Sequence, residues 1–178
     1  GLWSALEYFL KAIVAVAEEE HVLLGLHLDD PSFNVRGRPR IVKDGAALQR
    51  VVDIVPSASN GITFCPGSLA TNRRNDVMDI AARLWPHFVF CHFRNIRFLA
   101  EQELDGEWAF LETYHEDDKG AVPLAALLQL LHEKGCKVPY RADHAPGMYG
   151  HDANFGYGLV ARAQGLSFLQ GILRGLDV

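Results

Sequence analysis

The sequence predicts an α/β fold in which short parallel strands alternate with helices, either as a small open sheet or as one half of an eight-stranded barrel. Three observations point there. Four short apolar runs, Val22 to Leu26, Ile62 to Phe64, Phe88 to Cys91 and Pro139 to Ala142, are each followed at once by a polar residue. Segments with apolar groups at helical spacing lie between those runs. The rhythm of helix then strand repeats along the chain, which implies a parallel sheet with right-handed crossovers.

Residues 3 to 20 form the first helix, with Leu6, Phe9, Leu10, Ile13, Val14 and Ala17 on one side and Glu18-Glu19-Glu20 closing it. Val22 to Leu26 reads as a strand buried on both faces. After a loop with Pro31, Gly37 and Pro39, Asp44 caps a helix from Ala46 to Val55. The strand Ile62 to Cys65 leads into a turn-rich loop, Pro66 to Asn72. Asn75 or Asp76 starts the next helix, and Phe88 to Phe93 is a strand. The connection Asn95 to Gly120 has no strong period, and its length suggests an active-site lid or flap. Pro123 to Lys134 is a helix with Gly135 as its C-cap. Tyr140 to Asp143 is the last strand, and Gly158 to Leu173 the last helix.

Composition narrows the function. The chain has 178 residues, 49% hydrophobic and 22% charged, enough to bury a core as a single domain. A net charge of −5 with no basic stripe gives no support for a nucleic-acid partner. No apolar run approaches the roughly eighteen residues that span a bilayer, so no membrane partner is expected. Three cysteines without close spacing argue against a disulfide framework, and a cytoplasmic setting fits best.

The strand ends carry the chemistry. His27, Cys65, His92 and Asp143 follow successive runs, and in a barrel the C-terminal strand ends form the active-site mouth. Side chains alternate along a strand, so His92 should share a face with Phe90 and Phe88, and Cys65 with Thr63. One imidazole or thiol alone is ordinary packing. Four metal-competent groups on four strand tips point instead to a metal-dependent enzyme, and ligand chemistry alone also allows zinc. Cys91, facing the helices, and Cys136, after a helix cap, read as packing.

These residues carry a resemblance. Gly25-Leu26-His27-Leu28-Asp29-Asp30-Pro31, Arg38-Pro39-Arg40-Ile41-Val42, Asn60-Gly61-Ile62-Thr63-Phe64-Cys65-Pro66-Gly67-Ser68, Asn75-Asp76 and His92-Phe93-Arg94-Asn95 resemble, in order, segments of the mannonate dehydratases. So do Glu112 with His115, Arg141-Ala142-Asp143-His144, Gly156-Tyr157 and Gly165-Leu166. The resemblance covers the C-terminal half of that family's TIM-type (β/α)8 barrel, so the chain is expected to supply about four βα units, as a fragment or partial chain. It implies a carbon–oxygen lyase of hexuronate catabolism that converts D-mannonate to 2-dehydro-3-deoxy-D-gluconate with Mn²⁺ or Fe²⁺. By resemblance His27, Cys65, His92 and Asp143 are its metal ligands, and His144 and Tyr157 its acid/base pair, with the two roles unassigned. The family's Pro after Arg141 is Ala142 here, and its Gly after His144 is Ala145.

Arg94 either binds the substrate carboxylate or pairs with Asp29; His115 either closes over the sugar acid or is an exposed loop residue. Asp29 and Asp30 read as supporting or capping groups. The expected partners are a small sugar acid and either further copies of the chain or the N-terminal half of the barrel. Rival readings are a metal-dependent sugar isomerase or epimerase on the same barrel, which Cys65 disfavours because such sites lean on carboxylates, and a half barrel without catalysis.

Overall fold

A computed structural model describes residues 1–104, 107–148 and 158–177. Helix α1 (Leu2–Glu19) buries Leu10, Val14 and Ala17 and leads to strand β1 (Leu24–His27). Val22 and Leu23, expected within that strand, precede it and are exposed. Helix α2 (Gly45–Ile54) starts where the Asp44 carboxylate accepts a hydrogen bond from the Ala47 amide at 2.7 Å. Such a cap satisfies one of the amides that a helix start leaves without a partner. Leu48, Val51 and Val52 form its buried face.

Strand β2 (Asn60–Phe64) is buried throughout. Its first side chain, Asn60, donates to the Val51 and Val55 carbonyls at 2.9 and 3.0 Å, tying the strand to the end of α2. Where the sequence predicts a turn-rich loop from Pro66 to Asn72, Pro66–Ala70 is a short helix, α3. Pro66 at its first position suits a helix start, where no amide is needed. Helix α4 (Val77–Leu84) is capped by Asp76 and followed by a tight turn, Trp85–His87. Strand β3 spans Phe88–Phe93.

The connection Asn95 to Gly120 departs most from expectation. It contains a two-stranded antiparallel hairpin, β4 (Asn95–Leu104) with β5 (Glu107–Thr113). Helix α5 (Leu124–Glu133) ends before Gly135, whose φ of +73° is the left-handed conformation expected of that cap. Strand β6 (Tyr140–Ala142) and helix α6 (Leu159–Leu176) complete the described chain.

The four strands β1, β2, β3 and β6 lie side by side in that order, all parallel. Helices pack on one face, and the sheet is α/β with the topology of half a (β/α)8 barrel. Its register contains one irregularity. Ile62 pairs with Phe88 but Thr63 with Phe90, so Val89 is an extra residue on β3. The bulge corrects an expected face: Phe88 turns to the helix side and stacks on Phe64 at 4.3 Å, whereas Phe90 and His92 remain together, 5.3 Å apart, on the other. A Cβ at Gly25 or Gly61 would come within 2.7 or 2.4 Å of the Val89 side chain, so these two glycines leave the room it occupies. Cys91 faces the helices as expected, buried in the core.

Candidate metal centre

Each donor sits at the C-terminal end of a parallel strand. His27 is the last residue of β1, and its Nδ1 lies 2.6 Å from the Leu28 carbonyl oxygen. A carbonyl only accepts, so Nδ1 carries the proton and Nε2 keeps a lone pair. Cys65 stands between the end of β2 and the start of α3, fully buried, and its sulfur accepts a hydrogen bond from the Ser68 hydroxyl at 3.0 Å. His92 is on β3, its ring 5.2 Å from that of His27. One ligand atom from each of these three residues lies within 4.8 Å of the other two.

Asp143 follows β6 and is buried. Its amide donates to the Phe93 carbonyl at 2.8 Å, continuing the pairing with β3. One carboxylate oxygen lies 3.8 Å from His92 Nδ1, and the other accepts from Arg141 Nη2 at 2.6 Å. Asp143 thus flanks the three-atom group from its His92 side.

The electrostatics suit an ion. Burial pushes the Cys65 thiol up to about 11, against the opposing pull of the Arg94 charge. Burial also brings His92 down to about 4, against the pull of Asp143. At neutral pH His92 is therefore an uncharged donor, and a buried thiolate at Cys65 needs a further positive charge close by. A divalent cation supplies one. Two imidazoles and a thiolate form a chemically reasonable donor set, and the bond from His27 to a backbone carbonyl is the outer support that metal-bound histidines usually have.

A second group of charges lies beside the first. Arg94, only 2% exposed, pairs with Asp30 and, at 3.1 Å, with Glu112. Its Nη1 is also 3.4 Å from the Ser68 hydroxyl, which links it to Cys65. Asp29, considered above as its partner, instead accepts from the Ile41 and Val42 amides at 2.8 and 2.9 Å and pairs with Arg40. His144 places Nδ1 3.4 Å from Glu112 and Nε2 3.8 Å from Asp143. His115 is not an exposed loop residue: it is buried against Gly165 of α6, and its Nε2 donates to the Phe93 carbonyl at 2.8 Å. Tyr157 lies outside the described residues.

Sequence reasoning noticed Glu112 without giving it a role, and it did not pair Asp30 with Arg94. The available signal was Arg94 itself, two residues after His92 on the same strand face, because a buried guanidinium requires carboxylates.

The family model described as D-mannonate dehydratase (UxuA) matches residues 1–178. The chain belongs to the mannonate dehydratase family. A mannonate dehydratase of Enterococcus faecalis is 40% identical over 167 residues, covering 94% of this chain and 45% of the relative. One from Oceanobacillus iheyensis is 36% identical, covering 99% and 49%. The crystal structure of mannonate dehydratase from Streptococcus suis serotype 2 superposes with a TM-score of 0.88 at 35% identity, over 96% of this chain and 48% of that one. A xylose isomerase-like TIM barrel protein from Mycobacterium smegmatis, at 16% identity and a TM-score of 0.70, shares the fold. The chain spans about half the length of its mannonate dehydratase relatives, consistent with a half barrel.

Proposed function

We propose that this chain forms the metal-holding part of a mannonate dehydratase that removes water from D-mannonate to give 2-dehydro-3-deoxy-D-gluconate. The observation that carries this reading is the approach of His27, Cys65 and His92 to within 4.8 Å across three adjacent strand ends, in a chain of this family. Asp143 is the fourth ligand in this proposal, and the ion is Mn²⁺ or Fe²⁺. When bound, the ion supplies a Lewis acid that stabilises negative charge on the substrate carboxylate.

The remaining steps belong to the side chains. One group removes the proton from C2, and another protonates the C3 hydroxyl as it leaves as water. The enol left behind tautomerises to the 2-keto acid. His144, beside Asp143 at the same strand end, and Tyr157 share these two proton transfers. Arg94, held between Asp30 and Glu112, supports the site by fixing two carboxylates, and His115 braces the end of β3 through the Phe93 carbonyl. The barrel is completed by further copies of this chain or by the N-terminal half, in a cytoplasmic setting. Among the described residues no helix is long and apolar enough to cross a membrane.

The test is metal analysis of the purified chain together with an assay of 2-keto acid release from D-mannonate with Mn²⁺ added. Stoichiometric metal with turnover supports the proposal. Metal without turnover favours a half barrel lacking catalysis, a reading that the open edge of β1 also supports. No metal under any condition refutes the ligand assignment.

A further inference from the structure

Glu112 is not on a barrel strand. It lies near the end of β5, opposite Ile96 of β4, so the hairpin returns it over the strand tips. One of its oxygens, Oε1, lies 3.1 Å from Arg94 Nη2 and 3.4 Å from His144 Nδ1. Its other oxygen, Oε2, is buried and has no hydrogen-bond partner among the described residues. A buried carboxylate is costly unless a fixed cation faces it, and Arg94 is that cation.

The arrangement is built at some expense. A Cβ on Gly67 would come 2.2 Å from Arg94 Cγ, so the guanidinium reaches Glu112 only because residue 67 has no side chain. Asp30 pairs with the same guanidinium and leaves it little freedom to turn away. A carboxylate held in this way presents a fixed acceptor to one nitrogen of the neighbouring imidazole. The two nitrogens of His144 thereby become unlike. Nδ1 faces Glu112, while Nε2 faces Asp143. Glu112 is the nearer of the two carboxylates, 3.4 Å from Nδ1 against 3.8 Å between Nε2 and Asp143, and the nearer acceptor favours the tautomer with its proton at Nδ1, leaving the lone pair on Nε2.

We propose that Glu112, anchored by Arg94, is a positioning residue for His144: it sets the tautomer and ring orientation so that Nε2 is the nitrogen that exchanges a proton with the sugar acid. The catalytic part of this statement rests on the dehydratase reading; the tautomer part does not.

Two experiments test it. In the metal-free chain labelled with ¹⁵N-histidine, long-range ¹H–¹⁵N correlation at mildly alkaline pH reads the tautomer of His144, assigned with His144→Asn. The expected result is an Nδ1–H tautomer that gives way to Nε2–H in Glu112→Gln, whose amide can donate to Nδ1, and returns in Glu112→Asp. An Nε2–H tautomer in the unaltered chain, or no change on substitution, overturns the proposal. With D-mannonate and Mn²⁺, Glu112→Gln should lower kcat about 10–100-fold while metal content is unchanged and KM stays within about threefold of the parent. Added to His144→Asn, it should cost nothing further, since a residue acting through another is not additive with it. Additive losses overturn the positioning role. Absence of turnover in the unaltered chain counts against the dehydratase reading, and the tautomer measurement then decides the inference alone.

Discussion

Gly67 and Arg94 occupy one volume, and only one of them can have a side chain there. Gly67→Ala should therefore displace the guanidinium or the start of α3, with an overpacking cost of about 1–3 kcal/mol. Urea unfolding should register that cost, and an unchanged midpoint would show that the close approach at 2.2 Å is easily relieved. Cys65 offers a cleaner separation of binding from folding. Its sulfur is buried and accepts a hydrogen bond from the Ser68 hydroxyl, so Cys65→Ser removes the soft donor and little volume. The expected outcome is loss of bound metal with an unchanged far-ultraviolet circular dichroism spectrum; retention of stoichiometric metal would remove Cys65 from the ligand set. His27, Cys65 and His92 were legible as a group because strand ends in a parallel sheet are neighbours whatever the loops do. Glu112 was not, because its place depends on a hairpin.

That hairpin is the element sequence reading missed. Ile96 and Phe98 alternate with polar neighbours, Trp108 and Phe110 do so in part, and Asp105-Gly106, a frequent hairpin turn pair, lies between the two stretches. Arg94 and Asn95 distract from this pattern because they belong to the site. Arg73 stacks over Phe98 and Trp108, 5.0 and 4.4 Å from their ring centres, tying the hairpin to the loop after α3. The base of the hairpin is pinned by Asp117, which accepts hydrogen bonds from the Thr113 hydroxyl and from Arg97. Those bonds, Thr113 first and then Arg97, hold its carboxyl down at about 2. Because the folded value is depressed, the stabilisation is complete above the ordinary carboxylate value near 4 and is lost as pH falls from there to about 2. Asp117→Asn should therefore lower Tm at neutral pH and flatten its decline across that acid range. A parallel decline in both proteins, followed by thermal melts, would show that Asp117 makes no such contribution. The helices and their caps were easier to read. Asp44, Asp76 and Gly135 act locally, through bonds or backbone angles that neighbouring residues already specify.

At the scale of the molecule, two sheet edges remain open among the described residues, one on β1 and one on β6. Leu2, Phe9 and Val16, seven apart on α1, are exposed, as are Val22 and Leu23 immediately ahead of β1. Such a stripe beside a bare strand edge favours association. Studied alone, the chain should sediment as concentration-dependent oligomers, and Phe9→Lys with Leu23→Lys should shift it toward monomer; a monomer at every concentration would contradict this. The strand order was legible from the alternation of elements, but the bulge at Val89 was not, since nothing in Phe88-Val89-Phe90 distinguishes an extra residue from a regular one. The three donors that approach one another sit on β1, just after β2 and on β3, all within one continuous stretch of polypeptide. On the proposed reading, a barrel divided ahead of that stretch keeps its cofactor with one fragment, and mixing the fragments should restore turnover without any transfer of metal between them.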